Sequence, residues 1–216
     1  MQAAGEGRLW RDRRHAGDRL GERLAPQVRH HQDTTVVGIP PGGLAVAASL
    51  AEHLQLPLNC WSVQRVRAPD GGMELGAIAP GNIQVLDEER LRQLRLCGPA
   101  RERLMDLYED RLRADQDRYG DPDPAELSHR RLILVDEAIR SGRTMAAALQ
   151  SLRPLYPTAI TVAVPVGSRP ALDRLLLQAD QWVVLQAVDR LEVLSDWFAR
   201  LPSLKEREVI ALMRPG

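Results

Sequence analysis

The sequence predicts an α/β fold: a single doubly wound domain, residues 1–216, built around a mainly parallel central sheet and ending in a small C-terminal hood over 187–216. Three observations predict it. Apolar, β-branched runs at 34–39, 132–135 and 159–164 alternate with stretches of helical periodicity, the pattern of βαβ units. The runs are unbroken, as expected of parallel strands buried on both faces. Two of them end in loops rich in glycine or hydroxyl residues, 38–43 and 136–144, at the strand ends where such sheets bind ligands.

The elements follow in order. Residues 8–25 read as an amphipathic N-terminal helix, with Leu9, Ala16, Leu20 and Leu24 at helical spacing among charges. Segment 1–31 carries seven arginines against four acids, either a solvated face or a self-association surface. A strand at 34–39 passes through Gly42-Gly43 into a helix reaching Leu54. After the stop at Pro57 a second strand spans 58–65 and closes on Arg65. Residues 66–82 contain Gly71, Gly72, Gly76 and Gly81 with Pro69 and Pro80, and read as a long mobile loop, a lid that also holds Arg67 and Glu74. A short strand at 83–86 and a helical turn at 87–94 come next. A surface helix over 99–119 presents Leu104, Leu107, Tyr108 and Leu112 as one apolar stripe and breaks at Asp121-Pro-Asp-Pro124. Strand 131–136, helix 142–153, strand 159–164, a helix near 169–178 and strand 182–186 complete the alternation. A terminal helix occupies 204–213.

The chemistry concentrates in 132–148, where an apolar strand stops at Asp136 and Glu137 and a loop with Ser141, Gly142 and Thr144 opens a helix. Backbone N–H groups of such a loop and of a helix N-terminus attract an anion such as phosphate. The hydroxyls of Ser141 and Thr144 add donors, and Gly142 lets the backbone approach closely. Carboxylates repel phosphate but suit ribose hydroxyls or a hydrated magnesium ion. Gly42 and Gly43, at the start of the first helix, can aim bare N–H groups at a second anion. The loop is neither a dinucleotide fingerprint nor a P-loop.

Residues 132–144 resemble the phosphoribosyl-pyrophosphate (PRPP) motif of type I phosphoribosyltransferases, with Glu137 and Ser141 replacing the more usual Asp and Thr. The likeness extends to 9–24, 36–54, 65–81 and 196–213, closest to a bacterial group of predicted phosphoribosyltransferases. That group carries Pro-Arg-Gly-Gly where this chain has Pro40-Pro41-Gly42-Gly43, so one cation near pyrophosphate is absent. The resemblance implies a Mg2+-dependent transfer of ribose 5-phosphate from PRPP to a nitrogen acceptor. It gives Asp136 and Glu137 the ribose hydroxyls and magnesium, and Arg140, Ser141, Gly142, Arg143 and Thr144 the 5-phosphate. Gly42 and Gly43 would face pyrophosphate, and Arg65 would fall on it as the lid closes. The alternative is a PRPP- or nucleotide-binding regulator with this fold and no turnover. A homodimer is expected, with PRPP and an unidentified small-molecule acceptor as partners.

Composition narrows the rest. Lys+Arg and Asp+Glu balance at 29 each, so no global field draws the chain to nucleic acid or membrane. Cys60 and Cys97 are too few for a metal cluster or disulfide framework. His15, His30, His31, His53 and His129 form no metal-ligand pair, and His30-His31 reads as solvated. No serine-hydrolase elbow occurs. Neither a membrane-length apolar run nor a leader's apolar core is present, so a cytoplasmic location is expected. Trp197 and Phe198 are the best aromatic pair for stacking a planar base, although core packing of the terminal segment is the favoured reading.

Overall fold

The structure, a computed structural model, describes residues 9–28 and 33–213, so His30-His31 lies outside the described residues. In chain order the elements are α1 (Arg13–Val28), β1 (Thr34–Gly38), α2 (Gly42–Leu54), β2 (Leu58–Cys60), β3 (Gln64–Arg67), β4 (Glu74–Ala79), β5 (Ile83–Leu86), α3 (Glu88–Gln93), α4 (Pro99–Tyr119), α5 (Pro124–Leu127), β6 (Arg131–Val135), α6 (Arg143–Leu152), β7 (Ala159–Ser168), α7 (Arg169–Leu175), β8 (Gln181–Val188) and α8 (Glu206–Leu212).

Five strands form an all-parallel sheet in the order β2-β1-β6-β7-β8. Because successive side chains point to opposite faces, each apolar run supplies two cores at once. Val36, Ile133, Val135 and Ala163 meet Leu20 and Leu24 of α1 and Val46 and Leu50 of α2. Val37, Leu132, Leu134, Val162 and Val164 meet Ala147, Leu149 and Leu152 of α6 and Leu175 of α7 on the other face. Helices on both faces are the doubly wound arrangement the sequence predicts. On α1, Ala16, Leu20 and Leu24 are buried as the spacing requires, whereas Leu9 precedes the helix and is exposed.

Two expectations change. The strand at 58–65 is two strands in different sheets. After Cys60 the chain turns, with the Trp61 N–H donating to Gly38 O (3.1 Å) and Trp61 Nε1 donating to Ser151 Oγ (3.2 Å). Gln64 then enters a second sheet of order β3-β4-β5, antiparallel throughout. The lid at 66–82 is therefore a hairpin rather than a structureless loop. Its glycines serve the hairpin: Gly71 takes φ +76° at the tip, and a Cβ on Gly76 would stand 2.3 Å from Val85 O of the neighbouring strand. One face of this sheet lays Val66, Leu75 and Ile78 on Leu104, Met105, Tyr108 and Leu112 of α4. Ala77 and Ala79 face the α6 side of the main core.

Candidate functional site

Two loops meet at the carboxyl ends of β1 and β6, adjacent strands whose onward connections diverge to opposite halves of the sheet, the switch point where such folds open a crevice. The loop after β1 delivers Gly42 and Gly43 to the first turn of α2. These positions must lack a side chain because the acidic pair lies against them. A Cβ on Gly42 would stand 2.2 Å from Glu137 Oε2, and one on Gly43 2.8 Å from Asp136 Cα.

Asp136 follows β6 directly and is only 3% exposed. Its Oδ1 accepts the Glu137 N–H at 2.7 Å. Burial pushes its carboxyl up to about 6, against the pull of the Arg65 guanidinium and that hydrogen bond. Glu137 is gripped by Arg13 of α1, whose Nε donates to Oε1 at 2.5 Å.

The loop beyond is fastened to the end of β7. Ile139 N–H donates to Val166 O (2.9 Å) and Ser168 N–H to Ile139 O (2.8 Å). Ser168 Oγ donates to Arg140 O (2.7 Å), and Arg174 Nη2 donates to Ser141 O (3.2 Å). Gly142 then takes φ +81°, a conformation open to glycine without a Cβ penalty, and starts α6 with Arg143 and Thr144 in its first turn. N–H groups of that turn have no partner within the helix. The Ser141 hydroxyl donates to Glu74 Oε1 of β4 at 2.6 Å. Arg140 and Arg143 pair with the same carboxylate at 3.4 and 3.8 Å, Arg143 more tightly with Asp87.

Arg65 stands exposed on β3 opposite Ala77, and Arg67 is tied to the hairpin tip through Gly71 O and Gly72 O (3.4 Å each). Together these groups surround a cavity of about 220 Å3. Arg65, Asp136, Glu137, Arg140, Ser141, Gly142 and Thr144 line it; Gly42 and Gly43 back the carboxylates instead, and Arg143 turns to Asp87. Leu191, Glu192 and Leu194 close the far wall. Trp197 and Phe198 are not on that wall, in keeping with the core packing favoured from the sequence. Phe198 is 1% exposed, its ring 5.4 Å from Trp10, and Trp197 lies 6.5 Å from Trp10, so both join the core that anchors the C-terminal segment.

Sequence reasoning missed Arg13, the engagement of Glu74, and the Leu191–Leu194 wall. Arg13 reaches Glu137 across 124 residues of chain, and no local pattern carries such a contact. Glu74 was visible only as an acid in the lid.

Residues 13–193 match the phosphoribosyl transferase domain family. Two Mycobacterium tuberculosis proteins (strains CDC 1551 / Oshkosh and H37Rv), named provisionally as phosphoribosyl transferases, are 29% identical over 209 residues, 95% of this chain. The chain spans about half (46%) of the length of these curated relatives. The crystal structure of TT1426 from Thermus thermophilus is 33% identical and superposes with a TM-score of 0.73 over 94% of this chain and 97% of its own. The AQ2163 protein of Aquifex aeolicus, at 11% identity and TM-score 0.53, covers 83% of this chain and 76% of its own, and shares the fold.

Proposed function

The chain belongs to the phosphoribosyl transferase domain family, and we propose that it binds PRPP and transfers ribose 5-phosphate to a nitrogen of a small, nucleobase-like acceptor with release of pyrophosphate. The carrying observation is the convergence of the Asp136–Glu137 pair and the Ser141–Thr144 loop at one switch-point cavity, with the Gly42–Gly43 turn packed directly behind the carboxylates. In this reading Ser141, Thr144 and the first-turn N–H groups of α6 hold the 5-phosphate. Asp136 and Glu137 accept from the ribose hydroxyls. The C1–O bond to pyrophosphate breaks, the C1–N bond forms, and the nitrogen gives up its proton. Such a displacement passes through a cationic sugar, so the carboxylates help by their charge and the closed cavity by excluding water. Arg65, already close enough to Asp136 to favour its charged form, meets the departing pyrophosphate.

Magnesium fits the donor set. The two carboxylates, Asp136 and Glu137, offer the hard oxygens that magnesium takes. Magnesium is typically held in this way, by one or two carboxylates with substrate oxygens and water completing the shell. When bound, it would neutralise pyrophosphate charge.

The whole chain, 1–216, acts as one unit in this proposal, as a cytoplasmic homodimer. No helix among the described residues is long and apolar enough to cross a membrane. Pyrophosphate release in the presence of PRPP, magnesium and a panel of bases tests the reading. A second reading, a PRPP-binding regulator without turnover, is favoured by the absence of a cationic side chain from the 38–43 loop and by the Glu74 carboxylate on Ser141. Calorimetric PRPP binding without pyrophosphate release on any base would select it.

A further inference from the structure

In the phosphoribosyltransferase reading the turn at 39–43 receives a polyanion, yet nothing in it carries positive charge. It reads Ile39-Pro40-Pro41-Gly42-Gly43. The nearest charged group is of the wrong sign: Glu137 Oε2 lies so close to Gly42 that a Cβ there would come within 2.2 Å. An uncompensated carboxylate in that position would repel pyrophosphate from the very N–H groups meant to bind it. Coulomb repulsion of this kind is weakly screened where water is largely excluded.

Arg13 removes the conflict. It reaches in from α1, an element outside both loops, and both side chains of the Arg13–Glu137 pair are only 14% exposed. Nε donates to Glu137 Oε1, while Nη1 donates to Pro202 O at 2.8 Å in the C-terminal segment. The guanidinium is thus anchored at two ends, and its charge is set beside the carboxylate. Its hydrogen bond goes to Oε1, leaving Oε2 on the Gly42 side. We propose that Arg13 is a positioning residue that holds Glu137 in place and offsets its charge, so that the Gly42–Gly43 turn can accept pyrophosphate. The inference rests on the phosphoribosyltransferase reading and adds to it a residue that governs one half of the substrate selectively.

The experiment measures binding of inorganic pyrophosphate and of ribose 5-phosphate separately, by calorimetry in magnesium-free buffer. In Arg13→Gln, pyrophosphate affinity falls about tenfold or more, equivalent to about 1.4 kcal/mol, while ribose 5-phosphate, which keeps Asp136 and the phosphate loop and feels only the displaced Glu137, loses less than about threefold. Arg13→Lys, which keeps the charge, retains most of the pyrophosphate affinity. The double variant Arg13→Gln/Glu137→Gln recovers pyrophosphate binding relative to Arg13→Gln, because the carboxylate to be offset is gone. A merely structural arginine gives no such recovery, and thermal melts of all three variants identify any that fail to fold. Equal losses for both ligands, no loss for either, or no recovery in the double variant overturns the proposal. If the wild-type chain binds neither ligand, the phosphoribosyltransferase reading itself falls, and this inference falls with it.

Discussion

Asp136 is the residue at which stability and the proposed function oppose each other. Its carboxyl is raised in the folded protein, chiefly by burial, to about 6 from an ordinary 3.8. The folded state therefore holds the proton more tightly than the unfolded chain does. Ionising Asp136 costs folding stability, fully above about pH 6 and not at all below about pH 4. That cost is of the order of 3 kcal/mol. Asparagine keeps the Oδ1 that accepts the Glu137 N–H but carries no charge. Asp136→Asn is thus expected to melt higher than wild type at pH 7–8, with the gain vanishing near pH 4; melting curves across that range check it. The same variant is expected to bind PRPP roughly 10- to 150-fold more weakly, the usual loss of about 1.5–3 kcal/mol for a charged hydrogen bond. Calorimetry in parallel reads both halves of the trade. Of this, the sequence shows Asp136 at the strand end; its burial depends on Gly43 and the sheet beneath, which only the assembled fold brings together.

The element that sequence reasoning read least well is the β3–β4 hairpin. Glycine and proline density over 66–82 is the signature of a loop, and local pattern alone gives no way to see that Gly76 serves a close strand approach or that Leu75 and Ile78 bury against α4. By contrast α2, α4 and β6 were legible almost to the residue, because continuous periodicity and flanking glycine or proline mark their limits. The hairpin also brings an acid to the loop proposed to hold the 5-phosphate: Ser141 Oγ donates to Glu74 Oε1 at 2.6 Å, with Arg140 and Arg143 nearby. A phosphate settling there must displace that carboxylate or tolerate its charge. Glu74→Gln is therefore expected to raise ribose 5-phosphate affinity about tenfold, worth about 1.4 kcal/mol. Ser141→Ala removes a donor from the phosphate and from its competitor alike, so its net effect is under about threefold. A direct titration of both variants decides; weaker binding in Glu74→Gln would mean that Glu74 orders the arginines for the ligand instead of excluding it.

At the scale of the whole molecule, the segment before α1 is sewn to residues 197–200 beside the cavity. Trp10 bridges Phe198 in a parallel pairing: Trp10 N–H donates to Trp197 O (3.1 Å), Ala199 N–H donates to Trp10 O (2.7 Å), and Arg200 N–H donates to Arg11 O (2.8 Å). Phe198, Trp10 and Ala16 share one cluster with Val166 and Leu191. Leu191 belongs to that cluster and to the cavity wall at once, so the packing of the C-terminal segment sets the shape of the site opposite the carboxylates. Truncating the buried ring removes this clamp. Phe198→Ala is expected to cost about 3–5 kcal/mol, as for other large aromatic deletions in a core. In a chain of this size that lowers the melting temperature by about 6–20 °C. The loss should not fall evenly on the ligands. Asp136, Ser141 and Thr144 are fixed by β6, β7 and α6; of these only β7 joins the Phe198 cluster, through Val166, and its backbone is held by the sheet on both sides, so ribose 5-phosphate binding below the melting range should stay within about threefold of wild type. If the acceptor of the proposed reaction sits against the wall carrying Leu191 and Leu194, its use should degrade first, as a raised KM for the acceptor at an unchanged KM for PRPP. Ribose 5-phosphate affinity and acceptor KM worsening together would show that the sewn segments hold the phosphate loop as well, making the hood part of the site and not a cover laid over it.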